Sequence, residues 1–200
     1  MSDQSRKVKF WRPGTEGPKE EVLQERGQQE VVYNKWANLS ISNQRKRLPI
    51  FNYRNHILYL LEHHQTLIIV GETGSGKSTQ VPQYLMESGW LFDSKVVVTQ
   101  PRRIAAINLA SRVAEECGSI LGDEVGYAIR FEECCDHKKT KIKYVTEGIL
   151  LREMMSDPLL KKYTCVMIDE AHERNINTDL CVGLLKKIQR KRKDLRVRVR

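Results

Sequence analysis

From Pro49 onward the chain alternates between two kinds of apolar run. In YRNHILYLLEHHQ, residues Ile57, Leu58, Leu60 and Leu61 recur at helical spacing and predict an amphipathic helix. TLIIVG follows as a short continuous apolar run, the mark of a buried strand. KSTQVPQYLMESG predicts a helix ending at Gly89, with Pro82 an irregularity in its first turns. KVVVTQ predicts a second strand, and RRIAAINLASRVAEECG, apolar at 104, 107, 110, 113, 114 and 117, another helix. EVGYAIRF and KIKYVT read as strands, and EGILLREMM as a helix stopped before Asp157-Pro158. CVMID is a further buried strand, and DLCVGLLKKIQRK a last helix. Strands that are continuously rather than alternately apolar, interleaved with helices, predict an α/β fold: a parallel sheet with helices on both faces. No internal repeat is present.

The two ends break this pattern. Residues 1 to about 47 are rich in Gln, Glu, Gly, Lys and Pro, and FWRPGTEGPKEE holds two Pro and two Gly within residues 13–21. An extended or disordered arm over 1–47 is expected, with Phe10, Trp11 and Trp36 as scattered aromatic contacts. A single domain is expected over 48–195, with 196–200 a basic tail end. The alternating VRVRVR suits an edge or half-wet strand rather than a central parallel one.

Composition narrows the class. The 200 residues are 40% hydrophobic and 30% charged, ordinary values for a soluble globular chain with one proper core. No apolar run approaches the ~18 residues of a membrane helix, and MSDQSRKVKF has no apolar signal region. Five unpatterned cysteines fit free thiols in an intracellular protein. The net charge of +9 is concentrated: residues 186–200 hold nine basic residues against one acid. The rest is close to neutral, so nucleic-acid binding has to be argued from motifs, and that basic segment reads first as a solvated, frayed helix end.

The strongest motif is GETGSGKST, residues 71–79, which fits G-x-x-x-x-G-K-[ST] after a strand and before a helix. Gly71, Gly74 and Gly76 let the backbone wrap a phosphate, and Glu72, Thr73, Ser75 and Thr79 complete the loop. The helix start adds positive dipole. Lys77 reaches the β- and γ-phosphates of ATP, and the Ser78 hydroxyl suits Mg²⁺. Asp169 stands at the end of the CVMID strand, where a carboxylate holds the same Mg²⁺. Glu170 beside it can take a proton from an attacking water. Taken alone, DEAH also reads as a solvated strand end with two acids opening a helix. A zinc site fails, since the zincin pattern needs two His one helical turn apart. CCDH at 134–137 lacks zinc-site spacing and reads as a loop, and His63-His64 as a wet helix end.

GETGSGKST, TQPRRIAA (99–106), TEGILLRE (146–153) and DEAHER (169–174) together resemble motifs I, Ia, Ib and II of the DEAH-box RNA helicases, in that order. SRVAEECGSILGDEVGYAIRFE is similar to the family's linking segment, and KFWRPGTEGP to the start of one member. The resemblance runs from about 45 to 195 and implies a RecA-like P-loop NTPase domain that is incomplete at its C-terminal end. It implies ATP and Mg²⁺ as ligands, with His172 linking the nucleotide site to the parts that move RNA. It places Arg112 on the adenine face as a cation–π partner. Alone, Arg112 reads as a surface arginine on an amphipathic helix. It implies that Arg102, Arg103 and Thr146 grip RNA phosphates without regard to sequence, and that Arg130-Phe131 forms a hook-like turn. Without the family, Arg102 and Arg103 sit at a helix N-terminus, where positive charge is mildly unfavourable. By analogy the resemblance implies pre-mRNA splicing, spliceosomal and G-patch partners, and a nuclear or also cytoplasmic site.

The family pattern continues past DLR with a buried strand and a Ser-Ala-Thr motif, then a second RecA-like domain that supplies arginine fingers. This sequence reads VRVRVR there. Loss of an arginine finger costs roughly 10³–10⁵ in rate, so very weak ATPase activity is expected of the chain alone. Two functions compete: the ATP-binding half of an ATP-dependent RNA helicase, and a truncated, non-catalytic nucleotide- or RNA-binding module from the same gene.

Overall fold

The computed structural model describes residues 38–91 and 94–199. The reading of residues 1–37 as an arm, with its three aromatics, lies outside the described residues. The last residues of that stretch differ from the expectation: Ile41–Lys46 form a short helix, α1. It buries none of its own residues and is held by charge. Arg45 donates to Glu87 at 2.5 Å and to the Gln80 carboxamide oxygen at 2.9 Å. A 3₁₀ turn at Pro49–Tyr53 leads into α2, Arg54–His63.

The remaining helices are α3 (Lys77–Glu87), α4 (Arg103–Cys117), α5 (Glu147–Ser156) and α6 (Ile176–Lys191). The strands are β1 (Thr66–Ile68), β2 (Lys95–Gln100), β3 (Val125–Ile129), β4 (Glu132–Cys134), β5 (Ile142–Thr146), β6 (Tyr163–Ile168) and β7 (Arg196–Val199). They form one sheet in the order β1-β7-β6-β2-β5-β3-β4. Every pair is parallel except β3–β4. That pair is a hairpin whose two-residue turn is Arg130-Phe131, with Ile129 opposite Glu132.

Both sheet faces are covered, as the continuously apolar strands predict. On one face Val96, Val98, Ile142, Tyr144, Cys165 and Met167 pack with α2, α3 and α4. On the other Val97, Val145, Val166 and Ile168 pack with α5 and α6. β2, β5 and β6 thus send successive side chains into two separate cores.

Two strand expectations are corrected. TLIIVG is an edge strand rather than a buried one: Ile68 is 68% and Val70 91% exposed. An apolar run alone does not say which strand lies outermost. The second correction is larger. RVRV is neither a tail nor an edge strand, but lies parallel between β1 and β6. Its valines join the α5–α6 core. Arg196 turns back under the end of α2, donating from Nε to the Leu61 carbonyl at 2.6 Å and from Nη2 to the Glu62 carbonyl at 3.1 Å. Backbone carbonyls at a helix C-terminus replace water as its acceptors. Arg198 is fully buried, close enough for its charge to act on Tyr144 and Cys165. The 186–200 segment is therefore ordered helix, turn and strand through Val199 rather than a frayed end.

Candidate nucleotide and RNA site

In a parallel sheet all strands end on one side, and the candidate residues collect there because each follows a strand's carboxyl end. The loop 71–76 follows β1, Arg102 and Arg103 follow β2, Arg130-Phe131 follow β3, Thr146 ends β5, and Asp169 and Glu170 follow β6.

The loop enters α3 through Gly76, whose φ of +90° is left-handed. A Cβ there would stand 2.9 Å from Leu48 Cδ1 and 3.2 Å from Ile50 Cγ2, so both conformation and space demand glycine. Gly74 is also left-handed, with φ +81°, and open space surrounds it on the outer side of the loop. The Lys77 ammonium is folded into the loop. It donates to the Gly71 carbonyl at 2.8 Å, to Ser75 Oγ at 2.7 Å and to the Glu72 carbonyl. Thr79 Oγ1 donates to the Gly76 carbonyl at 3.2 Å.

Asp169 is 1% exposed and takes a 2.6 Å hydrogen bond at Oδ2 from Gln100 Nε2. Tyr144 touches the Ser78 backbone and lies within reach of the Asp169 charge. The Tyr144 hydroxyl donates to the Ser78 carbonyl at 2.8 Å. Its pKa is pushed well up by burial and, next, by the Asp169 charge. A hydroxyl, a buried carboxylate and an ammonium set among loop amides are the donor set that magnesium and a triphosphate require. The residues fit both ligands. Among the described residues no group of three His, Cys, Asp or Glu side chains could hold a metal.

After Asp169 the chain makes a single 3₁₀ turn, Ala171–Glu173, bracketed by Glu170 (φ +52°) and Arg174 (φ +49°). Two non-glycine residues in the left-handed region each cost on the order of 1 kcal/mol or more, a cost typical of functional turns. The turn leaves the Glu170 side chain partly exposed, with Oε2 3.4 Å from His172 Nε2. His172 is largely exposed. Arg174 then binds Asp179 through two bonds of 2.9 and 3.0 Å, and Asn175 caps α6 by accepting from the Thr178 N–H.

Arg112 does not lie alone on α4. Its Nε donates to Glu116 Oε1 at 2.9 Å and its Nη1 to Glu115 at 3.1 Å. Glu116 in turn accepts from Gln80 at 2.7 Å and Gln83 at 2.8 Å, and Gln80 reaches Thr79 Oγ1 at 3.0 Å. Arg112 is thus joined to the phosphate loop through Glu116 and Gln80.

The RNA candidates form a second cluster around the start of α4. Arg103 Nη2 donates to the Arg130 carbonyl at 3.3 Å. The Arg130 guanidinium lies over the Phe131 ring at 4.7 Å, and Phe131 is 88% exposed at φ +70°. Arg102 approaches Glu173 of the DEAHER turn at 3.5 Å. Thr146 pairs in register with Gln100 and stands as the N-cap residue of α5.

Sequence reasoning missed Gln100, Tyr144 and Glu116. Gln100 lies inside the quoted TQPRR, but nothing local marks it as the partner of an aspartate 69 positions away.

The DEAD/DEAH box helicase family matches residues 53–194. The chain is 60% identical over 197 residues to "Probable ATP-dependent RNA helicase DHX35" of Homo sapiens, covering 95% of this chain and 28% of that protein. It is also 60% identical over 197 residues to the protein of the same name in Pongo abelii, covering 95% of this chain and 27% of that one. It is 58% identical over 171 residues to "Probable ATP-dependent RNA helicase DHX35 homolog" of Caenorhabditis elegans, covering 85% of this chain and 23% of the relative. The chain spans about a quarter of the length of these curated relatives. With a match over 53–194 on a RecA-like α/β sheet that carries its motifs on one edge, the chain belongs to the DEAD/DEAH box helicase family.

Proposed function

We propose that this chain is the ATP-binding half of an ATP-dependent RNA helicase, which couples ATP hydrolysis to movement or remodelling of RNA. The observation that carries this reading is the convergence of the 71–79 loop, buried Asp169 and partly exposed Glu170 on the edge of the sheet that also bears the Arg102–Arg103 and Arg130-Phe131 cluster. The Ser78 hydroxyl and the Asp169 carboxylate would hold magnesium, which would supply positive charge to offset the negative charge developing on the transferred phosphate. Lys77 exchanges the Gly71 and Glu72 carbonyls for phosphate oxygens, at no cost in buried charge. Glu170, partly exposed at the end of β6, orients the attacking water and accepts its proton. His172, beside Glu170, and Glu173, beside Arg102, couple that turn to the RNA cluster. Arg112 leaves its carboxylates to stack on the adenine.

RNA is held through its backbone, by Arg102, Arg103, Arg130 and Thr146, with Phe131 as a stacking surface. Family resemblance supports a role in nuclear pre-mRNA splicing, also reaching the cytoplasm, with spliceosomal proteins and a G-patch activator as partners. Among the described residues no helix is long and apolar enough to cross a membrane.

The test is RNA-stimulated phosphate release by the purified chain, against Lys77→Ala. Release above the control that rises with single-stranded RNA is the enzymatic outcome. Release equal to the control contradicts autonomous hydrolysis and leaves a module that binds without turnover.

A further inference from the structure

An unusual peptide lies in the first turn of α3. The Ser78 carbonyl would ordinarily accept from the N–H four residues on, but that residue is Pro82, which has none. A proline ring also pushes the carbonyl four residues back away from the helix axis. The displaced carbonyl meets the Tyr144 hydroxyl at 2.8 Å, across 66 residues of sequence. Tyr144 is fully buried, and β5 fixes it in parallel register between β2 and β3. Two residues further along, the same strand ends at Thr146, on the RNA side.

We propose that Tyr144 is a positioning residue for the magnesium ligand Ser78. Its hydroxyl stands in for the N–H that Pro82 lacks and fixes the Ser78 peptide, so that the Ser78 side chain keeps the direction that magnesium coordination needs. The pairing of Pro82 with Tyr144 makes the start of α3 depend on strand β5 rather than on its own helical bond. This inference rests on the reading of Ser78 as a magnesium ligand.

The experiment compares binding of a fluorescent ADP to the whole chain with magnesium and with EDTA. The variants are Tyr144→Phe, Pro82→Ala, the two combined, and Tyr144→Phe on Ser78→Ala. Loss of one such hydrogen bond corresponds to a weakening of about threefold to tenfold. Tyr144→Phe is expected to weaken binding by that factor with magnesium and to leave binding in EDTA nearly unchanged. On Pro82→Ala, where the new N–H can reach the Ser78 carbonyl, Tyr144→Phe loses most of its effect. On Ser78→Ala it adds no further magnesium-specific loss. Equal loss with and without magnesium overturns the proposal, as does full binding by Tyr144→Phe or an effect undiminished on Pro82→Ala. Lys77→Ala separates the two levels: if it binds as the unmodified chain does, the reading of the site itself fails.

Discussion

Glu116 sits where three helices meet, and its removal is the sharpest stability test of the account. Its side chain is 4% exposed and accepts from Gln80 at 2.7 Å, Gln83 at 2.8 Å and Arg112 at 2.9 Å, with Arg45 of α1 at 3.9 Å. Gln80 and Gln83 are fully buried. Each amide would keep one bond in Glu116→Ala, to Thr79 Oγ1 at 3.0 Å and to the Thr79 carbonyl at 2.9 Å. Each would lose the partner of its other N–H. A buried donor left without an acceptor costs about 1–3 kcal/mol, so the two together cost about 2–6 kcal/mol. Arg112 is half-exposed and regains water, so it adds little. With a urea dependence of about 2–3 kcal/mol per molar, the unfolding midpoint should fall by about 1–3 M. Glu116→Gln should rescue most of the loss, because Gln80 and Gln83 donate to the same oxygen, which a carboxamide keeps, and only half-exposed Arg112 would face its amide hydrogens. Arg112→Ala should cost only about 0.5 kcal/mol. A Glu116→Ala midpoint within that of Arg112→Ala would refute the reasoning that ties α3 to α4 through a buried carboxylate.

Three further outcomes are expected. Arg196→Met should destabilise by about 1–3 kcal/mol in urea unfolding, because the Leu61 and Glu62 carbonyls lose their donors; a neutral result would mean that water serves them equally well. The thiols of Cys165 and Cys181 are pushed up to about 12 by burial, so their stabilisation is complete below the unfolded value near 9 and is lost as pH rises toward 12. Unfolding free energy should therefore decline by about 1.4 kcal/mol per pH unit for each of these thiols, and less steeply in a Cys165→Val, Cys181→Val protein followed by urea titration. Phe131→Ala should weaken binding to single-stranded RNA by about 1–3 kcal/mol at any salt, whereas Arg102→Ala should lower the salt slope by about one; fluorescence anisotropy across a salt series reads both.

The phosphate loop and Asp169 were legible because their chemistry fixes residue types at fixed spacing beside an apolar strand. The layered fold was legible because strands buried on both faces must be continuously apolar. β7 was not, since an alternating Val/Arg pattern implies water only when the arginines find no acceptor inside. Arg196 finds the carbonyls of α2, 135 positions away. Helix α1 was invisible because ISNQRK buries nothing and is held by ion pairs to Glu87 and Glu116. Tyr144 looked like one more apolar strand position, and its hydroxyl gains a role only when folding brings it to a carbonyl that Pro82 has freed.

The most direct test of the central claim is calorimetric titration of the chain with ADP in magnesium, alongside Lys77→Ala and Asp169→Asn. The loop ammonium makes charge-assisted bonds to phosphate, so Lys77→Ala should weaken binding by roughly 30- to 100-fold. Asp169→Asn should bind ADP with little dependence on magnesium. Equal affinity and equal magnesium dependence across the three proteins would contradict the assignment of this edge of the sheet to a magnesium-bound nucleotide.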